Sequence, residues 1–457
     1  MDQSQQTMTA AERHSGASPA LALTVLSLAD LSVFGLTTAP TPLYAHYRSV
    51  FHVGEFGTSI MFVAFAAGSA ATLALLGTRL LRQRFDTLLS ASYLLAIVAI
   101  PCLSAAEFME SLWVFLLGRL LSGVAVGLVA SGFTPFAQEL LTSMPMPERS
   151  KRRWSVIIPS LTMLGLGSGP IVSAVVLNGV STIPSTYYAA YALMPLAALV
   201  LLHVGAGVMS APTLRDATER KHAHPSAGTQ QSGSRTTAVW PLYLLLFLSF
   251  SVTGTYGAFS SPIVTTILGT SSVSASGWAA GSAFIAGAIV PTVLQNRRGS
   301  NTRTSVQATM RIAIPLLTVS FACLTASALT RQMPLFVCSA ILGGGTAGTL
   351  FTRTLAETLR RPTDNPGSAC ARAFCAAYLG LIVPILFGGI LMDLLPMAHA
   401  LGVAMTCILG IAILAACVRS SGSPPSCLDR VPRSAALQRF SDGSNADNVR
   451  HGSRMDR

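Results

Sequence analysis

Apolar stretches recur twelve times along this chain, near residues 20–43, 56–79, 86–106, 111–141, 154–178, 186–209, 239–263, 276–295, 309–329, 334–357, 369–392 and 396–418. Each reaches the ~20 residues that an α-helix needs to cross the hydrocarbon core of a bilayer. Lipid offers no hydrogen bonds to a bare backbone, so crossings of this length and character are helices. Composition agrees. The 457 residues are 51% hydrophobic and 11% charged, against about 25% charged in a soluble domain. So little charge cannot clothe the several water-facing domains that this length would otherwise suggest, and it excludes a disordered chain as well. The expected fold class is an all-α membrane protein of twelve transmembrane helices.

Polar segments divide the chain. Residues 1–19 read as a cytoplasmic N-terminal segment, because they lack the apolar core of a signal peptide. Residues 20–209 carry six spans, 210–238 form a polar cytoplasmic linker, and 239–418 carry six more. The Ser-, Arg- and Pro-rich residues 419–457 have no periodicity and read as a disordered cytoplasmic tail. Basic residues set the orientation. Arg79, Arg82 and Arg84 follow span 2, and Arg149, Lys151, Arg152 and Arg153 follow span 4. Arg215, Arg220, Lys221 and Arg235 lie in the linker, Arg297, Arg298 and Arg303 follow span 8, and Arg360 and Arg361 follow span 10. The alternate loops hold only Arg48 and Arg331. The positive-inside rule therefore predicts both termini in the cytoplasm and the spans in the inner cell membrane. The net charge of +12 anchors loops in this way. No basic stripe interleaved with aromatics points to nucleic acid. The eight cysteines show no CxxC or Cys/His ligand spacing, so neither a metal site nor a disulfide framework is expected.

The halves repeat at an offset of about 219 residues. Ala64-Phe65-Ala66-Ala67-Gly68 in span 2 matches Ala283-Phe284-Ile285-Ala286-Gly287 in span 8, and Gly35 matches Gly254, both at 219. Gly123-x-x-x-Gly127 in span 4 matches Gly344-x-x-x-Gly348 in span 10 at 221. Sequential matches in corresponding spans indicate a duplicated six-helix unit, the architecture in which a secondary transporter builds its site between two rocking halves. The paired glycines predict close helix contacts. Gly165-x-Gly167-x-Gly169-Pro170 predicts a bent or thinned span 5. No GxxxxGK[ST], GxSxG or HExxH occurs, which excludes an ATP motor on this chain and leaves no visible enzyme chemistry.

Charge inside hydrocarbon is costly and so points to function. Asp30 lies about eleven residues into span 1, roughly 16 Å from one face, and Arg119 about eight residues into the oppositely directed span 4, roughly 12 Å from the other face. Similar depths predict a facing pair: a protonation switch in which a changing separation moves a proton on or off the carboxyl, or a permanent staple between the spans. Asp30, Phe34, Thr37 and Thr41 share one face of span 1, and Ser249, Thr253, Tyr256 and Ser260 repeat that spacing on span 7. Two polar-aromatic stripes of this kind predict the lining of an internal cavity, with Phe259, Phe374 and Tyr378 adding rings. Such a lining suits an amphiphilic or cationic small molecule. Glu139 and Glu357 end spans 4 and 10 near Arg clusters and read as gate salt bridges or solvated helix ends.

Arg119-x-x-x-Gly123-x-x-x-Gly127, Gly165-x-x-x-Gly169-Pro170, and Gly77 with Arg79, Arg82 and Arg84 together resemble the major facilitator superfamily, most closely its twelve-helix drug:proton antiporters, over roughly residues 20–418. The resemblance implies two pseudo-symmetric six-helix bundles, alternating access, a role in proton transfer for Arg119, and export associated with the span-5 Gly-Pro motif. The loop Leu80-Leu81-Arg82-Gln83-Arg84-Phe85-Asp86 departs from the family pattern, as does Ser173-Ala174 after the Gly-Pro motif. The expected function is proton-coupled export of a small amphiphilic or drug-like compound, by a monomer needing no cofactor, with Asp30 and Arg119 as the coupling pair. The alternatives are an uptake symporter of the same fold, or a non-transporting membrane sensor or scaffold acting through its tail.

Overall fold

A computed structural model describes residues 19–76, 85–143, 147–178, 185–204, 239–269, 272–297, 306–360 and 366–421, and these are helical apart from short connections. In chain order the helices are α1 (Pro19–Thr38), α2 (Tyr44–Phe51), α3 (Glu55–Leu75), α4 (Phe85–Phe108), α5 (Leu112–Ser143), α6 (Glu148–Val176), α7 (Ser185–Ala189), α8 (Leu193–Val204), α9 (Trp240–Leu268), α10 (Val273–Arg297), α11 (Val306–Thr330), α12 (Met333–Arg360), α13 (Pro366–Leu394) and α14 (Met397–Ser421). Eleven helical stretches among the described residues are long and apolar enough to cross a bilayer. The sixth expected span is shorter. Its apolar run covers Tyr187–His203 and is interrupted by a 3₁₀ turn at Ala190–Ala192. The face on which α1 begins is called the near face below, and the opposite one the far face.

The first span differs from its expected outline. Pro40 and Pro42 lack the N–H groups that would bond the Leu36 and Thr38 carbonyls, so α1 stops at Thr38. The path continues through a 3₁₀ turn at Thr41–Leu43 and α2, as one apolar crossing from Leu23 to Phe51.

The paired glycines pack as their spacing predicts. A Cβ on Gly123 would lie 2.8 Å from the Phe65 Cα of α3, and one on Gly344 would lie 2.7 Å from the Ala283 Cα of α10. Both distances are far inside ordinary contact, so the backbones of α3 and α5, and of α10 and α12, touch directly. Phe65 and Ala283 are equivalent in the repeat to within one residue. The two halves meet along α3 with α13 and along α6 with α10. The Gly-Pro motif serves this seam. Gly165 and Gly169 receive α1 (Phe34 Cβ at 2.6 Å from a Cβ on Gly165), whereas Gly167 receives Phe284 and Ile285 of α10 at 3.0–3.1 Å. The motif thins α6 on two faces while the helix runs unbroken through Pro170. That proline leaves the Leu166 carbonyl without its usual donor. The Thr38 hydroxyl supplies one, at 2.8 Å.

Candidate functional site

The interior holds few ionisable groups. Asp30 of α1 is 2% exposed and Arg119 of α5 is 0% exposed. They do not form an ion pair. Arg119 donates from Nε to the Met61 carbonyl at 3.0 Å, from Nη1 to the Thr37 carbonyl, and from Nη2 to Tyr44 Oη at 3.1 Å and the Phe62 carbonyl at 3.4 Å. Its guanidinium also lies 4.8 Å from the centre of the Phe65 ring. Thr37 sits in the last turn of α1, where helix carbonyls lack intrahelical partners and carry the negative end of the dipole. The Pro40-Thr41-Pro42 break therefore provides the acceptor that Arg119 takes. A fork of five donors suits four acceptors on three elements, as a point charge would not.

Depth counting from span ends brought Asp30 and Arg119 level, but side-chain direction separates them. Helical side chains tilt toward their own N-terminus, and α1 and α5 run in opposite directions. Asp30 consequently leans toward the near face and Arg119 toward the far face, where it reaches Thr37 about 10 Å further along the α1 axis. The expected Asp30–Arg119 pair, whether switch or staple, is therefore not formed; the guanidinium joins α5 to α1 through the Thr37 carbonyl instead.

Asp30 has its own neighbourhood. Its Oδ1 has no hydrogen-bond partner, and the same is true of Tyr93 Oη of α4 and Tyr378 Oη of α13. Both phenols lie within electrostatic range of the carboxyl. Tyr378 faces Ser69, whose hydroxyl is committed to the Phe65 and Gly123 carbonyls at 3.0 and 2.9 Å. The Phe65 ring touches the guanidinium and also meets Tyr378 edge-on at 6.5 Å, so one ring links the Asp30 and Arg119 neighbourhoods.

The stripe residues are buried but do not all face one space. Thr37, Ser249 and Thr253 bond carbonyls of their own helices at 2.7, 2.7 and 3.2 Å. Tyr256 turns into the second half, bonding Ser320 at 2.8 Å and Ser339 Oγ at 2.5 Å. Phe34 packs on Gly165, Phe259 on Gly388, and Phe374 on Phe351. Thr41 lies in the 3₁₀ turn that meets α9 and α10. Among the aromatics expected to line a cavity, Tyr378 has a ring contact with the opposite half, through Phe65. A groove of about 480 Å³ lies elsewhere, between α11 and α14, bordered by Thr325, Leu329, His399, Gly402 and Thr406. Glu357 is half-buried in the last turns of α12. Gly77, Arg79, Arg82 and Arg84 lie outside the described residues, as does the side chain of Glu139.

Sequence reasoning missed the tyrosines. Tyr47 and Tyr188 share a hydrogen bond at 2.6 Å, Tyr187 bonds Ser173, and Tyr191 donates to the Gly169 carbonyl at 3.3 Å. The signal was present: Tyr187-Tyr188-x-x-Tyr191 loads a short apolar segment with phenols that must find partners when buried.

Three comparisons extend this picture. The sequence profile of the Major Facilitator Superfamily matches residues 20–383. No curated protein matches the chain. Among solved structures, a bacterial homologue of the human lysosomal transporter Spinster, in an inward-facing and occupied conformation, is similar with a TM-score of 0.55, at 14% identity, over 88% of this chain and 96% of that one. The nucleoside transporter NupG is similar with a TM-score of 0.58, at 10% identity, over 88% of this chain and 99% of that one. At these identities the likeness concerns the fold. With a family profile spanning most of its length and a helical fold to match, the chain belongs to the Major Facilitator Superfamily of multi-pass membrane transporters.

Proposed function

We propose that the protein is a proton-coupled exporter of a small amphiphilic, cationic compound, with Asp30 as the proton-carrying group and the near face in the cytoplasm. The observation that carries this reading is the Asp30 carboxyl, 2% exposed with an unpartnered Oδ1. An isolated ionised carboxylate in an apolar interior is far costlier than the neutral acid. Its charge state therefore follows its surroundings. When the halves part and water or a cationic substrate reaches Asp30, the proton leaves, and when they close on an empty site it returns. Tyr93 of α4 and Tyr378 of α13 share an electrostatic field with the carboxyl, so rocking that carries α13 past the first half would alter that field. Arg119 contributes a fixed positive charge and holds α1 to α5, so that Asp30 keeps its place during the motion.

The experiment is transport into everted membrane vesicles. An inward-acid gradient should drive uptake of a cationic amphiphilic dye, and collapsing the gradient with an ionophore should release it. Uptake that ignores the gradient, or that requires the opposite one, would overturn proton-coupled export.

A further inference from the structure

The far-face ends of α3 and α13 are joined across the halves by a carboxylate. Asp393, in the last turn of α13, accepts the Glu55 N–H at 3.1 Å through Oδ1 and the Phe56 N–H at 3.2 Å through Oδ2. Those N–H groups belong to the first turn of α3, where helix donors lack intrahelical partners and the dipole is positive. The N-cap residue of α3 is Gly54, which provides no side-chain cap and leaves room for the visitor: a Cβ there would stand 3.4 Å from Asp393 Oδ1. Asp393 thus caps, from 338 residues away, a helix whose own sequence omits the cap. The Glu55 side chain would repel it, but Glu55 pairs with Arg48 of α2.

The repeat makes the arrangement one-sided. Subtracting 219 from Asp393 gives Ala174 of α6, which packs on Gly277 of α10 so closely that a Cβ on that glycine would lie 2.7 Å from the Ala174 Cβ. At the repeat-equivalent position one far-face seam thus carries a small residue packed on a glycine, and the other a charge on a helix end. Apolar packing in a membrane gains little over packing against lipid, whereas charge-assisted bonds to backbone N–H are directional and end once the helices separate.

We infer that Asp393 is a latch that biases the transporter toward the form closed at its far face. Opening that face pulls the carboxylate off α3 and exchanges two charge-assisted bonds for bonds to water. This bias is independent of what the protein carries and of whether protons drive it.

The test places a cysteine beneath the latch, at Ser59, which is buried against Gly389 one turn further into α3. Its reaction with a polar maleimide is followed in detergent, where the reagent reaches both faces, and each variant is compared with the same variant lacking S59C. Asp393→Ala should speed labelling about two- to fivefold, the range set by an interaction at a helix N-terminus. Arg48→Gln leaves the α3–α13 packing in place and removes the neutralising charge, and it should act in the same direction by a smaller factor. Rates equal to the parent in both variants would overturn the latch, whatever transport assays report.

Discussion

Removing the Thr38 hydroxyl tests how the Gly-Pro motif of α6 is tolerated. Thr38 Oγ1 lies 2.8 Å from the Leu166 carbonyl, which Pro170 deprives of its helical donor. The same hydroxyl lies 3.2 Å from the Gly35 carbonyl of its own helix, a bond that the helix does not need. Thr38→Val keeps the shape and leaves Leu166 unsatisfied in a buried seam. An orphaned buried acceptor costs about 1–3 kcal/mol, and polar bonds measured within membrane proteins average about 0.6 kcal/mol with a maximum near 1.7. The expected loss is therefore about 1 kcal/mol. The mechanism separates from a generic packing defect in a double-mutant cycle. Pro170→Ala restores an N–H four residues after Leu166, so Thr38→Val should cost almost nothing in that background. Thermal unfolding of the four proteins in one detergent measures the coupling, which should approach the whole cost of the single substitution. Equal losses with Pro170 in place and with Pro170→Ala would show that Thr38 does not serve the proline.

Arg119→Lys keeps the charge and surrenders the fork. At about 1.5–3 kcal/mol for each hydrogen bond to a charged group, losing two of the four should lower the apparent Tm by several degrees, and a Tm equal to wild type would reduce Arg119 to a bare charge. Gly344→Val drives a side chain into the Ala283 backbone, which cannot yield; the cost of about 1–3 kcal/mol or more expected for overpacking should abolish accumulation of folded protein on size exclusion. Gly402→Ala, whose Cβ meets nothing within 4 Å, should elute and unfold like the parent.

The helical crossings were legible because lipid forces a length and a polarity on each of them. The Gly123 and Gly344 contacts were legible because a helix has one spacing that brings small residues onto one face. The break after Thr38 was written in Pro40 and Pro42, yet which group would take the freed carbonyl was not: Arg119 is distant in sequence, and its direction of reach depends on the antiparallel course of α5. Depth alone placed Asp30 and Arg119 level because it counts Cα positions and ignores tilt. The same gap hid Thr38 from Leu166 and Asp393 from α3. Each of these is an orphan backbone group, predictable from a proline or an uncapped helix end, whose partner is set by packing between helices. The stripe on α9 was read as a cavity lining, but its spacing did not distinguish a face turned to the opposite half from one turned, like Tyr256, into its own.

The central claim rests on Asp30, and Asp30→Asn tests it with two assays on the same proteoliposomes. Asparagine keeps the size and cannot release a proton. The account predicts that gradient-driven transport is lost while exchange of labelled for unlabelled substrate, which needs no net proton movement, continues. Gradient-driven accumulation at the wild-type level in the variant would contradict it.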